Sequence, residues 1–491
     1  MADDPTATLV LLRFSGDVHI KSRATRHQFV RRLIGNLHDA LTAHGVAPRV
    51  HTSHNRILIE LPADTPHGFL GRVFGIQSLS RVEARCASDA NTIVRAGTEL
   101  FRERVAGKRF AVRARRVGNR NRIPIASGAI ERELGAALLP SAAKVDLGSP
   151  EVTVHVEVTE REAYLFANRE PAEGGLPLGV EGRAVTLLSG GFDSAVAAWQ
   201  LLRRGVVQDY VFCNLGGITH EVGVLRVAQV LAERWHYGHQ PILYAIDFEA
   251  VTAELRAKTA RRYWQVLLKR LMLRAAERIA RQRRAAAIIT GEAVGQVSSQ
   301  TLQNLAVISR ATDAMLLRPL VGSNKAEIIN TAQRIGTFEL SKVVGEYCDL
   351  VPHKPATAAS FEAIDAEEAR VDLAILHTAV DRARKFDLRN LERAQLEIPE
   401  LEIEQIPPGA ALIDLRSKAE YESWHHPDAL WLEFQQAAAT YPSFERGRRY
   451  VLVCQYGLMS AHLAERMRKD GFDAFHFRGG TRALRRSVEP A

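Results

Sequence analysis

The spacing of apolar and polar positions predicts short strands that alternate with helices through the first third of the chain. Strands are predicted at residues 8–14 and 57–61, with a helix between them at 23–43 that ends before Gly45. The same alternation continues as far as residue 169, which indicates two small α/β modules. The predicted modules cover residues 1–63 and 64–169.

The central part of the chain alternates strands and helices more regularly, which is the pattern of a doubly wound parallel sheet. It follows a glycine-rich linker at residues 174–179 and is predicted to form a domain at 176–355. Its strands are predicted at residues 183–188, 210–214, 241–247 and 286–290.

The last part of the chain begins with residues 356–403, whose helical patterns and mixed charge predict a connector. A final α/β domain is predicted at residues 404–491, with strands at 411–416 and 450–453 and a helix at 461–467. The whole chain is therefore predicted to be a multidomain α/β protein.

Composition adds expectations about partners and location. The chain has 491 residues, a net charge of +9 and a pI near 9.5, which favours an anionic partner, nucleic acid first. Four cysteines in a chain of this length do not make a disulfide scaffold. The pattern of a signal peptide is missing and no apolar run is long enough to span a membrane, so we expect a cytoplasmic protein without membrane contact.

Residues 101–122 carry nine Lys or Arg side chains against the single acid Glu103. Within this segment, residues 110–115 alternate as a strand that places Arg113 and Arg115 on one face. A solvated basic face would explain the pattern, but arginine pairs with phosphates in bidentate fashion, which favours contact with RNA or DNA. The pattern resembles the THUMP domain, which implies capture of the acceptor end of tRNA.

The hexapeptide Ser-Gly-Gly-Phe-Asp-Ser at residues 189–194 lies between a predicted buried strand and a helix at 195–204. Adjacent glycines let backbone N–H groups converge, and the helix directs its positive dipole end to the same point, so the turn suits a phosphate. A Walker loop is excluded because no Gly-Lys-Ser/Thr follows. The motif resembles the PP-loop of ATP pyrophosphatases; a turn without a ligand is the alternative.

Other segments of the central domain supply further candidates. Phe212 and Cys213 end the next strand and could face a nucleotide base, although the apolar run favours a buried structural thiol at Cys213 over a reactive one. The spacing of a basic helical segment at residues 261–284 by itself favours a solvated helix face, but Lys269 within it could instead reach phosphates. The small and polar residues 290–301 suit a loop that faces a nucleotide.

A second strand, turn and helix unit carries Cys454, in Cys-Gln-Tyr-Gly-Leu-Met-Ser (454–460). Converging N–H groups and a helix N-terminus stabilise an anionic sulfur, whereas the alternative is an ordinary buried cysteine at a strand end. The pattern resembles the rhodanese domain, in which the cysteine at this place bears a persulfide. A tyrosine phosphatase would require Arg where Ser460 stands. Cys348, in contrast, cannot be assigned from its local sequence.

Taken together, the motifs resemble the tRNA 4-thiouridine sulfurtransferases, the ThiI family, over essentially the whole chain. The segments that carry the resemblance are Ser-Gly-Gly-Phe-Asp-Ser (189–194), Gly-Glu-Ala-Val-Gly-Gln-Val-Ser-Ser-Gln-Thr-Leu (291–302), Leu-Arg-Pro-Leu (317–320) and Glu-Tyr-Cys (346–348).

This resemblance implies an N-terminal ferredoxin-like domain, a THUMP domain, a PP-loop domain and a rhodanese-like domain, in that order. It also implies that Asp193 assists adenylation of a uridine with ATP and Mg²⁺, that Cys454 carries the persulfide and that Cys348 resolves the exchange through a transient disulfide. The ATP site is expected to comprise Leu187, Leu188, Ser189, Gly190, Gly191, Asp193, Ser194, Phe212, Cys213, Lys269, Gly291 and Gln300.

The implied reaction is ATP-dependent transfer of sulfur to the uridine at position 8 of tRNA, with a cysteine desulfurase as sulfur donor. The resemblance further implies sulfur supply to thiamine thiazole synthesis, through a sulfur-carrier protein of that pathway; whether the chain forms a homodimer stays open. Two alternatives remain: a thiosulfate sulfurtransferase that uses Cys454 alone, and a non-catalytic RNA-binding sulfur carrier. The intact hexapeptide argues against a vestigial ATP site.

Overall fold

The computed structural model describes residues 7–53, 56–123, 125–342, 344, 355–398 and 400–488. The chain divides into two compact units. The first comprises residues up to 181 together with 202–206 and 234–239, and the second comprises the remainder.

The described residues of the first unit form two five-stranded sheets and four α-helices. Its strands are β1 (Ala7–Phe14), β2 (Val50–Ser53), β3 (Arg56–Pro62), β4 (Ile76–Val82), β5 (Ala84–Ala87), β6 (Arg109–Arg116), β7 (Lys144–Val145), β8 (Val152–Val158), β9 (Glu162–Phe166) and β10 (Glu170–Pro171). Its helices are α1 (Gly16–His19), α2 (Arg23–Ala43), α3 (Ala90–Val105) and α4 (Ser127–Leu138).

The first sheet is antiparallel, with strand order β10-β4-β1-β3-β2, and the second has the order β5-β9-β8-β6-β7. Helix α2 packs Leu33, Leu37 and Leu41 into the core of the first sheet, as its helical spacing predicts. The first sheet extends beyond residue 63 because β4 pairs with β1. The proposed division of the chain into domains stays a prediction.

A buried ion triad joins the two sheets of this unit. Glu157 of β8 accepts hydrogen bonds from Nε of Arg13 at 2.7 Å and Nε of Arg56 at 2.6 Å. Burial raises the pKa of Glu157, but the two guanidinium groups outweigh it, so that the pKa lies below its ordinary value. The carboxylate is thus held in its charged form between the sheets.

The second unit contains two parallel sheets, one of them with an antiparallel edge strand. Its strands are β11 (Arg183–Leu187), β12 (Val207–Asn214), β13 (Ile242–Asp247), β14 (Ala287–Ile289), β15 (Met315–Leu317), β16 (Arg384–Asp387), β17 (Glu402–Ile403), β18 (Ala411–Asp414), β19 (Ala429–Trp431), β20 (Arg449–Val453) and β21 (Asp473–Phe477).

Thirteen α-helices accompany these strands in the described part of the second unit. They are α5 (Phe192–Leu202), α6 (Gly217–Trp235), α7 (Glu249–Lys258), α8 (Trp264–Arg283), α9 (Leu302–Ser309), α10 (Lys325–Ile335), α11 (Phe338–Ser341), α12 (Phe361–Glu368), α13 (Leu373–Asp381), α14 (Lys418–Ser423), α15 (Phe434–Thr440), α16 (Leu458–Lys469) and α17 (Gly480–Val488).

The six-stranded sheet has the order β15-β14-β11-β12-β13-β16, and only β16 is antiparallel. The chain moves outward from β11 through β12 to β13 and then returns to the other side of β11 as β14. The switch point therefore lies between β11 and β14, where doubly wound sheets bind their ligands. The predicted doubly wound sheet is confirmed.

Much of the predicted connector at residues 356–403 belongs to this layer. Strand β16 pairs with β13, and Ile364 of α12 and Leu376 of α13 lie in the core cluster around α8. Arg270 of α8 is tied to α12 because its Nη2 lies 2.5 Å from Glu368 and 2.8 Å from Asp365. The remaining sheet, β17-β21-β20-β18-β19, is entirely parallel.

Among the described residues, no helix combines the length and the apolar character needed to cross a membrane.

Candidate functional site

The hexapeptide at residues 189–194 forms a tight turn from the end of β11 into α5. Gly190 takes a φ of +82°, a conformation that glycine adopts without a steric cost. The hydroxyl of Ser194 accepts the backbone N–H of Ser189 at 3.2 Å and donates to the carbonyl of Gly191 at 3.1 Å. These bonds fold the loop over the first turn of α5, at the positive end of the helix dipole.

A second loop, which follows β14, closes on this turn at Gly291. A Cβ added there would lie 2.6 Å from the carbonyl carbon of Asp193 and 2.7 Å from the backbone nitrogen of Ser194. Any residue other than glycine would therefore force the two loops apart. This contact fixes the hexapeptide against the neighbouring strand end, across the switch point of the sheet.

A cavity of about 250 Å³ lies between the two loops. Seven residues of the predicted ATP site line it: Leu187, Ser189, Asp193, Ser194, Lys269, Gly291 and Gln300. Thr290 and Glu292, which also line it, belong to the predicted loop at residues 290–301, whereas Met272, Leu273 and Ile308 were not predicted. The cavity joins backbone N–H groups, hydroxyls and charged side chains to an apolar wall.

Glu292 is the centre of a charged network in this cavity. Its carboxylate accepts Nζ of Lys269 at 3.1 Å and Nε of Arg318 at 2.7 Å, and Thr290 donates its hydroxyl at 3.1 Å. Burial raises the pKa of Glu292, but the attraction of Lys269 and Arg318 outweighs it and holds the pKa below its ordinary value. The network presents Lys269 at the cavity wall.

Asp193 is bound at the mouth of the cavity by Gln296, from the predicted loop at residues 290–301, and by Lys325, which was not predicted. Its carboxylate lies 3.0 Å from Nζ of Lys325, the first residue of α10, and accepts Nε2 of Gln296 at 2.9 Å. Within the described ranges, no group of three or more His, Cys, Asp and Glu side chains could hold a metal ion.

The other predicted residues of this site do not line the cavity. Leu188, Phe212 and Cys213 are buried, with Cys213 in the core cluster on α8, and burial raises the pKa of its thiol. Gly190 and Gly191 shape the loop without lining the cavity. Phe212 and Cys213 belong to β12, on the side of β11 away from the switch point.

Cys454 follows β20 and begins a loop that enters α16. Its side chain is 2% exposed, its Sγ accepts the backbone N–H of Ser460 at 3.4 Å, and the hydroxyl of Ser460 lies 3.3 Å from the same sulfur. Gly457 takes a φ of +80° as the cap before α16. The sulfur is thus held by the N-terminal turn of a helix, the arrangement expected for an anion.

The N-terminus of α17 packs against this loop. The backbone N–H of Thr481 donates to the carbonyl of Cys454 at 3.0 Å. A Cβ at Gly480, whose φ is +66°, would lie 2.6 Å from the carbonyl oxygen of Gln455. Gly480 therefore allows α17 to approach the cysteine loop closely.

Helices of the six-stranded sheet contact the domain that carries Cys454. Glu465 of α16 accepts the backbone N–H of Thr219 at 3.2 Å and its hydroxyl at 2.5 Å. The hydroxyl of Tyr456, in the cysteine loop, donates to Glu339 of α11 at 3.3 Å. Val222 of α6 and Leu458 of α16 share a small apolar cluster. The cysteine loop therefore lies against α6 and α11.

Cys348 lies outside the described residues, so the predicted pairing with Cys454 stays a prediction. Cys86, Cys213 and Cys454, the cysteines of the described part, are free thiols. Val344, the last described residue before Cys348, packs against the hexapeptide, because a Cβ at Gly190 would lie 3.0 Å from its Cγ1.

Four family models match the chain in succession. They are the ThiI ferredoxin-like domain at residues 9–80, the THUMP domain at 87–168, the thiamine biosynthesis protein (ThiI) at 179–373 and the rhodanese-like domain at 400–487. Their order agrees with the predicted fold class, which is confirmed.

Curated relatives named tRNA sulfurtransferase match nearly the whole chain. The protein of Edwardsiella ictaluri is 36% identical over 476 residues, which cover 94% of this chain and 98% of the relative. The protein of Aeromonas salmonicida is 36% identical over 475 residues, with the same coverage of 94% and 98%. The protein of Escherichia coli O139:H28 is 34% identical over 475 residues, again with 94% and 98%.

Solved structures resemble the chain as well. The crystal structure of a 4-thiouridine synthetase in complex with RNA and bound ATP superposes with a TM-score of 0.68 at 29% identity, over 77% of this chain and 99% of that one. PH1313 from Pyrococcus horikoshii superposes with a TM-score of 0.53 at 22% identity, over 67% of this chain and 99% of that one, which shows a shared fold alone.

Proposed function

Since the chain belongs to the family of tRNA sulfurtransferases, we propose that it transfers sulfur from a persulfide on Cys454 to the uridine at position 8 of tRNA. The product is 4-thiouridine, and the reaction consumes ATP. The observation that carries this proposal is the pair of anion-binding loops in one compact unit, at residues 189–194 and 454–460. A sulfurtransferase that acts without ATP needs only the second loop.

The cavity between the strand ends has the chemistry that ATP phosphates require. Backbone N–H groups at the start of α5, together with Lys269 and Lys325, would hold the phosphates, and Gly291 keeps the two loops close enough to do so. ATP would supply the adenylyl group that turns the 4-oxygen of the uridine into a leaving group, and pyrophosphate would leave as the 4-oxygen bonds to the α-phosphorus.

Two carboxylates line the same cavity, and their exposure separates their roles. The side chain of Asp193 is 26% exposed, whereas that of Glu292 is 10% exposed and is held by Lys269 and Arg318. We therefore assign Asp193 to the assistance of adenylation, with a magnesium ion that accompanies ATP. Glu292 positions Lys269.

The transfer of sulfur balances as follows in the proposed reaction. The terminal sulfur of the Cys454 persulfide forms a bond to C4 of the uridine, while the bond from C4 to the adenylated oxygen breaks and AMP leaves. The thiolate of Cys348 then attacks Sγ of Cys454, which releases 4-thiouridine and forms a disulfide between the two cysteines. An external dithiol reductant reopens that disulfide.

Exposed cations of the first unit supply a surface for tRNA. Arg113 and Arg115 both lie exposed on β6, as the alternation of that strand predicts. Six cations of residues 101–122 have no carboxylate within 4.0 Å in the described part of the chain. Their charge is therefore available to phosphates. These cations are Arg102, Lys108, Arg113, Arg115, Arg116 and Arg120.

The proposed sulfur donor is a cysteine desulfurase, which delivers sulfur to Cys454 as a persulfide. The match to the thiamine biosynthesis protein model at residues 179–373 supports a second role, in which the same persulfide supplies sulfur to the thiamine thiazole.

The decisive experiment follows radiolabelled sulfur from cysteine, through a desulfurase and the full chain, into unmodified tRNA, with and without ATP. We expect label in tRNA only with ATP, loss of that label in Cys454→Ser, and no loss in the control Cys86→Ser, which removes another free thiol. Label that stops at the protein whether or not ATP is present would identify a sulfur carrier. Transfer from thiosulfate to cyanide, with none to tRNA, would identify a thiosulfate sulfurtransferase.

A further inference from the structure

The loop that holds Cys454 contains no basic side chain of its own, since residues 454–460 are Cys, Gln, Tyr, Gly, Leu, Met and Ser. Arg416, at the end of the neighbouring strand, is bound by Asp414, with Nη2 at 2.6 Å from its carboxylate. Arg482 of α17 lies over the ring of Tyr456 at 5.8 Å. Within the loop, the sulfur is bound by Ser460 at the N-terminal turn of α16, so a cationic side chain near it has to come from another element.

Arg226 of α6 reaches this loop from the six-stranded layer. Its Nη1 donates to the backbone carbonyl of Tyr456 at 3.4 Å, and its Nη2 donates to the carbonyl of Leu396 at 3.1 Å. Across the described ranges, no carboxylate lies within ion-pair distance of this guanidinium. This partly buried cation is thus held by carbonyl oxygens, which carry no formal charge to neutralise it.

The acidic groups that share the cavity with Arg226 are occupied by another arginine. This cavity, of about 660 Å³, is lined by Arg226, Tyr456 and Gly457 and also by a cluster of three carboxylates. Arg478 binds all three members of that cluster, Glu397, Glu402 and Glu404. Arg393, in the same cavity, also pairs with Glu397 at 2.6 Å.

A further titratable neighbour is His476 of β21. Burial, and next the charge of Arg226, lower its pKa to about 4, so the imidazole is neutral at pH 7. Burial lowers the pKa of Arg226, and the charges of Glu402 and Cys454 raise it, but a guanidinium remains protonated throughout the physiological range. Arg226 is therefore a permanent cation that faces the cysteine loop together with a neutral histidine.

We propose that Arg226 is a positioning residue for the sulfur: it holds the Cys454 loop by the carbonyl of Tyr456 and favours the anionic form of the thiol and of the persulfide. Helix α6, which packs beside the six-stranded sheet and its proposed ATP cavity, thus supplies the positive charge that the cysteine loop lacks. This inference rests on the proposed function for its purpose, since the anion at Cys454 is the sulfur to be transferred.

The position of Arg226 also joins the two loops through one helix. Val224, two residues earlier on α6, lies against the hexapeptide, because a Cβ at Gly190 would be 3.0 Å from its Cγ2. Thr219, at the start of α6, binds Glu465 of α16. Helix α6 therefore contacts both the loop at residues 189–194 and the domain that carries Cys454.

The test measures how fast iodoacetamide alkylates Cys454 between pH 5 and 10 in the full chain, with the Cys454 peptide quantified by mass spectrometry. In Arg226→Gln we expect the midpoint of the profile to rise by about one pH unit, because a nearby positive charge is lost. Arg226→Lys, which keeps the charge, should stay close to the wild type. The matched control Arg393→Gln removes a cation of the same cavity that is already paired, and should leave the midpoint unchanged.

An unchanged midpoint in Arg226→Gln would overturn the proposal, and so would a rise in Arg226→Lys as large as that in Arg226→Gln, because that result would indicate a structural role. If Arg226→Gln does not fold, Arg226→Met, whose apolar chain fills a similar space, takes its place. The alkylation profile needs neither ATP nor tRNA. A failure of the wild type to thiolate tRNA would therefore reject the proposed function and leave the profile to decide the role of Arg226.

Discussion

The two glycine loops to which we assign anion binding share one backbone plan and differ in the source of their positive charge. Each follows a buried parallel strand and enters a helix through glycine, at Gly190 and at Gly457. The loop at residues 189–194 has Lys269, Arg318 and Lys325 around it, whereas the loop at 454–460 has Ser460 and, from α6, Arg226.

The difference follows from the charge that each loop would hold in the proposed reaction. A triphosphate carries several negative charges and is bound without reacting at the groups that hold it, so several cations are useful. A persulfide carries one negative charge and must act as a nucleophile, and the nucleophilicity of sulfur falls as its anion is stabilised further. One cation at the edge of the loop serves the second purpose better than three around it.

The largest effect is expected when the loop at residues 189–194 loses the carboxylate of Asp193. Asp193→Ala should lower ATP-dependent thiolation of tRNA by about a thousandfold or more, because the group assigned to adenylation is removed. Persulfide formation on Cys454 should persist, since the cysteine loop does not use Asp193. Undiminished thiolation would contradict the role of Asp193, and loss of the persulfide would contradict the separation of the two loops.

Replacement of Glu292, the buried carboxylate that Lys269 and Arg318 bind, tests the charged network of the cavity. Glu292→Gln should destabilise the chain by about 3 kcal/mol at pH 7, because it leaves Lys269 and Arg318 without their buried partner. The folded-state pKa of Glu292 is lowered, so its stabilisation is present above the unfolded pKa and is lost as the pH falls through the folded one.

The measurement is therefore urea unfolding of wild type and variant at a series of pH values. The difference in unfolding free energy should be greatest near pH 7 and should shrink below about pH 4. A difference that stays constant over this range would show that the charge of Glu292 does not carry the effect.

The motifs predicted both loops, because a strand, a glycine turn and a helix are adjacent in sequence and their geometry is local. The family and the transferase class predicted from those motifs are confirmed by the whole-length relatives. Phe212 and Cys213 were assigned to the nucleotide by the same local logic, but the position of the cavity depends on the strand order β14-β11-β12, which a single strand does not encode.

The charged groups around the loops were harder to predict, since they come from distant elements. Lys325 starts α10 and Arg318 follows β15, and neither stands beside a phosphate motif in the sequence. Arg318 belongs to the segment 317–320 that helped to identify the family, which was the available signal for it. Arg226 lies in the middle of an ordinary helix, so only the packing of α6 against the cysteine loop identifies it.

A smaller effect is expected when the cysteine loop is disturbed at its support. Gly480→Ala places a Cβ against the backbone of Gln455 and strains a positive φ, so we expect persulfide loading of Cys454 to fall by about thirtyfold. Gly447→Ala is the matched control, because Gly447 has a φ of +92° and no atom within 4 Å of the added Cβ. Equal losses in both variants would assign the effect to backbone strain alone.

The surface that we propose for tRNA has no glycine loop and would bind phosphates by exposed cations alone. Arg113→Gln combined with Arg115→Gln should weaken tRNA binding by about tenfold at moderate salt, and should reduce the dependence of the affinity on salt concentration, because fewer counterions are released. Binding is measured by titration of labelled tRNA at several salt concentrations. The matched control, Arg256→Gln with Lys258→Gln, removes the same net charge from exposed positions at the end of α7. If both double variants weaken binding equally, overall charge explains the affinity and β6 is not the contact. If only the Arg113 and Arg115 variant weakens it, the side chains of β6 hold the phosphates without converging backbone N–H groups.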